Sequence, residues 1–268
     1  MRKRYAILFA TIILAFVAGL AWRLSLPREP TYQGRPLSYW LEGYSTADIS
    51  ETSQQSADTA MREIGTNAIP TPLRMLQEDD SHLKLKFFSV VEKQHFIKIH
   101  HLPASEINYR GMKGFQILGA NAKGAVPALI KIYEAEDSRA SGGFAAVSLG
   151  AIGPSAKEAI PVLLKRMSRT NILDRVLTMQ VLGMIHSEPE ITVPVLIKHL
   201  NDNVYMGGHR YTPTAIEALG HFGTNALEAV PALIQMLDDA DPTLRNRIIS
   251  ALQEIDPQAA ANLRTNSP

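Results

Sequence analysis

"EAVPALIQML" (residues 228–237) sets a proline in the middle of an apolar helical stripe, where an interior proline costs about 3 kcal/mol. The phrase returns as "GAVPALIKIY" (124–133), "EAIPVLLKRM" (158–167), "ITVPVLIKHL" (191–200) and, more loosely, "AIPTPLRMLQ" (68–77). A costly residue repeated in one setting is an architectural device. The four closely matching prolines, 127, 161, 194 and 231, stand 34, 33 and 37 residues apart, inside the range of helix-pair arrays.

One unit can be read from 211–242, "YTPTAIEALGHFGTNALEAVPALIQMLDDADP". Thr212 or Thr214 can cap a first helix whose stripe runs Ala215, Ile216, Leu219 and Phe222. Gly220 and Gly223 then allow the left-handed turn that ends it. A second helix is expected to begin at an Asn225 cap, bury Leu227, Val230, Leu233, Ile234 and Leu237, and stop at "DDADP". Pro231 falls in or near the first turn of that second helix. There its missing N–H has no intrahelical partner, and the restriction it puts on Val230 keeps the first helix from running on.

A helix pair of this kind cannot bury its apolar face alone, so neighbours must stack into a quasi-linear solenoid. The spacing predicts pairs near 50–77, 104–135, 139–168, 171–201 and 210–238, a last helix near 242–255, and a flexible tail over 257–268. No alternating strand run and no Asn-Gly hairpin turn is present. Leu37, Trp40, Leu41 and Tyr44 fall at i, i+3, i+4, i+7 behind Pro36, which predicts an N-terminal capping helix over 36–48 ahead of a solenoid over 49–256. Two interruptions stand out: an extra helix within 79–101 and a loop over 201–213. Insertions in solenoids often gather on a binding face.

The first residues suggest an address. "MRKR" (1–4) precedes the apolar run "YAILFATIILAFVAGLAW" (5–22), long enough to approach the hydrocarbon core of a bilayer. Arg2, Lys3 and Arg4 outnumber Arg23 and Arg28, so the positive-inside rule places the N-terminus in the cytoplasm. The expectation is a single-pass anchor, a linker over 23–35, and the bulk of the chain in the periplasm or outside the cell. Small residues at Ala18, Gly19 and Ala21 also permit signal-peptide cleavage and release into the periplasm.

"SLGAIGPSAKEAIPVLL" (148–164) and "ALGHFGTNALEAVPALIQML" (218–237) resemble HEAT repeats, in particular the HEAT-like repeats of phycobilisome lyases. The resemblance implies an all-α solenoid of antiparallel helix pairs across about 50–255, generally a scaffold rather than a catalyst. With the leader "YQGRPLSYWL" (32–41), the chain further resembles exported, membrane-tethered bacterial HEAT-repeat proteins of unknown role. Only the structural repeat matches and no chromophore-handling residue does, so bilin-lyase activity is not carried over.

Chemistry is sparse. Cysteine is absent, which excludes disulfides, zinc thiolates and cysteine nucleophiles. No phosphate-loop, nucleophile-elbow or zinc-protease motif occurs. "SHLK" (81–84) fits S-x-x-K but lacks K-T-G, leaving Ser81 as a helix cap. Glu92 and His95 share a face in "EKQHFIKIHH", yet no matching carboxylates complete a metal set, and His95 follows the stripe of Phe88, Val91 and Ile99. No catalytic, cofactor-binding or metal-binding residue is expected.

Charge is unevenly spread. Residues 83–131 hold eight cations and two carboxylates, a net +6, whereas 36–82 and 132–268 together hold 13 cations and 23 carboxylates. Solvated helix faces account for such runs. Read functionally, Lys84, Lys86, Lys93, His95, Lys98, His100, His101, Arg110 and Lys113 are candidate partner-binding residues. The favoured function is a non-catalytic scaffold holding a partner protein or peptide on its inner, second-helix surface and on the inserted helix. Two alternatives are an enzyme or enzyme subunit with a small-molecule or metal site near the His-rich segment, and a binder of anionic lipid or envelope polymer through the basic segment. Nucleic acid suits the charge but not the expected address.

Overall fold

The computed structural model describes residues 29–45, 50–82, 84–86, 89, 102–135, 139–167, 172–200, 205–206, 209–210 and 213–265. Within these the chain runs β1 (Thr31–Tyr32), β2 (Arg35–Pro36), α1 (Leu37–Leu41), α2 (Glu51–Ile64), α3 (Pro70–Leu76), α4 (Ala104–Leu118), α5 (Val126–Glu134), α6 (Arg139–Ile152) and α7 (Ile160–Met167). It continues through α8 (Ile172–Ile185), α9 (Pro189–Lys198), β3 (Tyr205–Met206), β4 (His209–Arg210), α10 (Pro213–His221), α11 (Val230–Gln235), α12 (Pro242–Ile255) and α13 (Pro257–Thr265). From α2 onward the helices pair in order into six units.

One hydrophobic core extends from Leu37 in α1 to Ala260 in α13. Its spine is a ladder at the repeat interval. Phe115, Leu149, Leu182, Leu219 and Leu252 in the first helices are all essentially inaccessible, as are Leu129, Leu163, Leu196 and Leu233 in the second helices. Each of the latter leucines stands two residues beyond a repeat proline. The proline thus sets the phase that buries its leucine, and the fold is the expected all-α array of stacked hairpins.

The connection between the two helices departs from expectation. In units 2, 3 and 5 it is a seven-residue stretch of 3-10 turns, Gly119–Ala125, Gly153–Ala159 and Gly223–Ala229, broken in units 3 and 5 by non-helical backbone at Ala156 and Ala226. A 3-10 helix has three residues per turn, and the alanines three and six residues past each opening glycine are the ones buried: Ala122 and Ala125, Ala156 and Ala159, Ala226 and Ala229. Asn225 therefore does not cap the second helix, and Leu227, expected in the core, is 51% exposed. Gly223 (φ +54°) makes the left-handed turn, whereas Gly220 lies inside α10. In unit 1 the connection, Gly65–Ala68, is three residues and one 3-10 turn shorter.

The repeat prolines sit early in the second helix in units 1, 2 and 5, at Pro70, Pro127 and Pro231. Unit 4 differs. His186 replaces the turning glycine (φ +35°), its Nδ1 2.9 Å from the Met184 carbonyl, and Glu188 is also left-handed (φ +52°). The helix α9 then starts at Pro189, which leaves Pro194 in its interior.

Both ends are more ordered than the sequence suggests. Residues 31–36, of which 31–35 are expected as linker and Pro36 as the start of the cap, form an antiparallel hairpin pairing Thr31 with Pro36 and Tyr32 with Arg35. Gln33 (φ +48°) and Gly34 (φ +75°) turn it in the left-handed sense such two-residue loops require. Glu29 accepts hydrogen bonds from the backbone N–H and hydroxyl of Ser38 and pairs with Arg74 at 3.3 Å, tying the hairpin to α3. The capping helix is five residues long, and its Leu37 and Leu41, with Tyr44 beyond it, are buried as expected. At the other end, where a flexible tail is expected, α13 completes a sixth unit, with Asp256 accepting from the N–H groups of Gln258 and Ala259 at 3.1 Å. The loop expected over 201–213 contains a second short hairpin, β3–β4.

The localisation inferred from the sequence is corrected. Among the described residues no helix is long and apolar enough to cross a membrane, and the run at 5–22 lies outside the described residues. A single-pass anchor with the bulk of the chain beyond a membrane therefore has no support in the structure and is withdrawn.

Candidate partner-binding surfaces

The first helices form one row. A Cβ added at Gly183 in α8 would stand 2.7 Å from the Ala218 Cα of α10, and one at Gly150 in α6 would stand 2.9 Å from Met184 Sδ of α8. At Gly220 in α10 the corresponding distance, to the Ala251 Cα of α12, is 3.4 Å. The Leu-Gly pair thus has two jobs: its leucine fills the core and its glycine lets the next first helix approach to backbone contact. In unit 2 the pair is out of phase, and Gly119 is the turning residue (φ +52°).

Half-buried apolar side chains mark this row. The rings of Tyr109 and Phe144 meet edge to face at 6.3 Å, and the ammonium of Lys113 lies 5.5 Å from the Tyr109 ring and 5.9 Å from that of Tyr44. These are internal engagements, which leave little of Lys113 for a partner.

The second helices form a looser row. Between α9, α11 and the start of α12 lies a cleft of about 400 Å³ lined by Ile197, Leu200, Ala232, Gln235, Met236, Asp239 and Leu244. In the same two units Ile191, Leu227 and Ile234 are 43%, 51% and 37% exposed. Three exposed large apolar residues in two adjacent units form a concentration the sequence reading did not find, because it assigned Leu227 and Ile234 to the core. The signal was there. A three-residue alanine period through 223–229 buries Ala226 and Ala229, and so turns Leu227 outward.

The stretch of sequence that contributes the cleft is acidic overall. Glu190, Glu228, Asp238 and Asp239 are exposed, and Asp241 caps α12 by accepting from the Leu244 N–H at 2.9 Å. Arg245 is engaged with the Leu237 carbonyl at 2.9 Å. Residues 188–245 hold eight carboxylates and three cations, a net −5.

Of the residues singled out from the sequence, Lys93, His95, Lys98, His100 and His101 lie outside the described residues. Lys84 is held internally, 3.2 Å from Asp80 and 3.9 Å from Glu78, with Nζ also donating to the Asp79 carbonyl. Arg110 is buried with Glu106, 3.5 Å away on the same helix face. Lys86 is exposed. Among the described candidates the positive charges are not assembled into one open patch: two of the four are paired with carboxylates and a third lies over aromatic rings. Among the described residues no group of three His, Asp or Glu side chains could hold a metal ion.

A second recess, about 380 Å³, sits at the cap between α1 and α2, with Tyr39, Trp40, Glu42, Gly43, Ser45, Ser53 and Ser56 around it. Arg35 covers the Tyr39 ring at 4.3 Å, and the Trp40 indole N–H donates to the Tyr32 carbonyl at 3.1 Å. The aromatic groups here fasten the hairpin to the cap.

Residues 214–239 match the family model of the PBS lyase HEAT-like repeat. Among solved structures, the complex of CpcE and CpcF of phycocyanin lyase from Nostoc sp. PCC7120 is similar at 18% identity, covering 91% of this chain and 86% of that one, with a TM-score of 0.46. No curated protein matches the chain. The matched stretch contains Gly223, Ala226, Ala229, Pro231 and Leu233, and the same order of turning glycine, two buried alanines, proline and leucine recurs in units 2 and 3; the chain is built from HEAT-type repeats.

Proposed function

We propose that the protein is a non-catalytic docking scaffold that holds a segment of a partner protein against its second-helix row. The observation that carries this reading is the exposure of Ile191, Leu227 and Ile234 in the two adjacent units that also hold the cleft between α9 and α11. Fully burying a large apolar side chain is worth about 1.5–3 kcal/mol, and these three are roughly half exposed, so covering two or three of them supplies the anchors a modest docking site needs. The tight first-helix row supports the same role by giving the second helices a rigid backing.

The test is site-specific photo-crosslinking in the native cell, with a photoreactive residue placed at Ile234 in one variant and at the exposed Gln180 of the first-helix row in another. A discrete adduct of one mass from position 234, absent from position 180, is the expected outcome. If neither these positions nor others sampled on either row capture a protein, the scaffold reading is lost.

A further inference from the structure

The recess at the N-terminal cap is separate from units 4 and 5 and from the scaffold reading, and we infer that it binds a trimethylammonium group, carried by a choline-like molecule or by a trimethylated lysine. Three observations meet in that chemistry.

The first is a corner made by two fixed rings. Tyr39 and Trp40 are consecutive in α1, so their side chains leave the helix about 100° apart. The rings stand at 84° to one another with centroids 5.5 Å apart, and both residues line the recess of about 380 Å³. Trp40 is held in place. Its indole N–H donates to the Tyr32 carbonyl at 3.1 Å, and its ring meets that of Tyr32 edge to face at 5.5 Å. Gly43 lets α2 close on the recess, since a Cβ there would stand 2.5 Å from the Ser53 carbonyl oxygen. Rings fixed before a ligand arrives suit a bulky alkylated cation, whose charge is spread over C–H surface that ring quadrupoles attract.

The second is the sign of the charge. Glu42 is the one charged residue among those lining the recess, and its carboxylate has no ion pair or hydrogen bond with the described residues. Two donors of the lining are spent: the Trp40 N–H on Tyr32, and the Ser56 hydroxyl on the Thr52 carbonyl at 2.9 Å. A carboxylate, hydroxyl oxygens and ring surface remain, a set that favours a cation over an anion.

The third is that Tyr39 already holds a cation. The guanidinium of Arg35, which is not among the lining residues, lies 4.3 Å from the Tyr39 ring centroid. Arg35 therefore competes with the ligand for that ring. A compact ammonium such as that of unmodified lysine keeps its water and is the poorer occupant.

The experiment uses the full chain with Trp22→Phe, which leaves Trp40 as the sole tryptophan, and follows its emission. The probes are choline, its neutral carbon isostere with tert-butyl in place of trimethylammonium, and short peptides bearing one trimethyl-lysine or one unmodified lysine. Choline or the trimethylated peptide should shift the emission saturably at about millimolar concentration. The isostere and the unmodified peptide should be at least about ten-fold weaker. A response to choline alone marks a free molecule or headgroup as the source, and a tighter trimethylated peptide marks a protein side chain.

Tyr39 and Glu42 are exposed, so Tyr39→Leu and Glu42→Gln should leave thermal unfolding unaltered while each weakens binding about five-fold or more. Tyr39→Phe keeps the ring and should bind as before. Arg35→Ala removes the competing cation and should tighten binding about two-fold. Equal responses to choline and its isostere, no response to choline or the trimethylated peptide, unchanged binding in both Tyr39→Leu and Glu42→Gln, or weaker binding in Arg35→Ala each overturns the inference. None of these outcomes bears on crosslinking at Ile234, so the scaffold reading stands or falls separately.

Discussion

The two helix rows of each hairpin are made from similar amounts of apolar sequence, yet they behave as opposites. In the first row a leucine points into the core while its neighbouring glycine removes the side chain that would hold the next helix away. In the second row a proline sets the phase and a leucine two residues later is buried, while the following residue is only partly covered in units 2, 3 and 4 and exposed in unit 5. At Leu233 and Ile234 that boundary falls between adjacent positions: the leucine is inaccessible and the isoleucine 37% exposed. Tight contact therefore builds rigidity on one side, and on the other a partly open surface remains for a partner.

The largest effect should come from crossing that boundary. Leu233→Ala removes a fully buried side chain from the core spine and is expected to cost about 3 kcal/mol or more, read as a drop in urea midpoint. Ile234→Ala, one residue away, should change stability by less than about 0.5 kcal/mol. Its effect should appear instead in photo-crosslinking yield. Equal costs at the two positions would mean that the second row has no exposed face to offer.

A smaller effect separates contacts within the first row. Gly183→Ala places its Cβ 2.7 Å from the Ala218 Cα, where backbone must move, and is expected to cost about 2 kcal/mol despite the better helix propensity of alanine. Gly220→Ala meets Ala251 at 3.4 Å, a distance that slight adjustment relieves. There the propensity gain of up to about 1 kcal/mol offsets the crowding and stability should scarcely change. Thermal unfolding of the two variants side by side measures how much of the rigidity depends on the α8–α10 approach.

Much of this was legible from residue spacing alone. The intervals of Pro127, Pro161, Pro194 and Pro231 give the repeat, and the first-helix stripe Ala215, Ile216, Leu219 and Phe222 is buried throughout. What the spacing hid was a change of period. A helical stripe fitted to 225–237 places Leu227 in the core, because it assumes one 3.6-residue helix across a segment made of short 3-10 turns that break at Ala226. The β1–β2 hairpin was missed for a related reason: its turn is Gln33-Gly34 rather than Asn-Gly, and four paired residues are too few to show alternation. The exposure of Leu227 could not be found without the first correction. The charge reading needs a different refinement at two positions. Net charge along the sequence counts Lys84 and Arg110 as available cations, whereas helical proximity pairs them with Asp80 and Glu106.

The smallest predicted effects are the most discriminating, because they differ in sign between units of one array. Pro231 occupies the first turn of α11, where no backbone hydrogen bond is lost to it. Pro231→Ala should therefore lower stability by up to about 1 kcal/mol, through the greater freedom it gives the unfolded chain. Pro194 lies inside α9, whose start moved back to Pro189 when His186 replaced the turning glycine and the 3-10 connection was lost. Here the ring removes an interior N–H, and Pro194→Ala allows a bond to the Glu190 carbonyl, so stability should rise by about 1 kcal/mol. Urea unfolding of the two variants settles the matter by sign. A loss at both positions would show that α9 has adapted to its proline, and that unit 4 keeps the same second-helix frame as unit 5 despite its different entry.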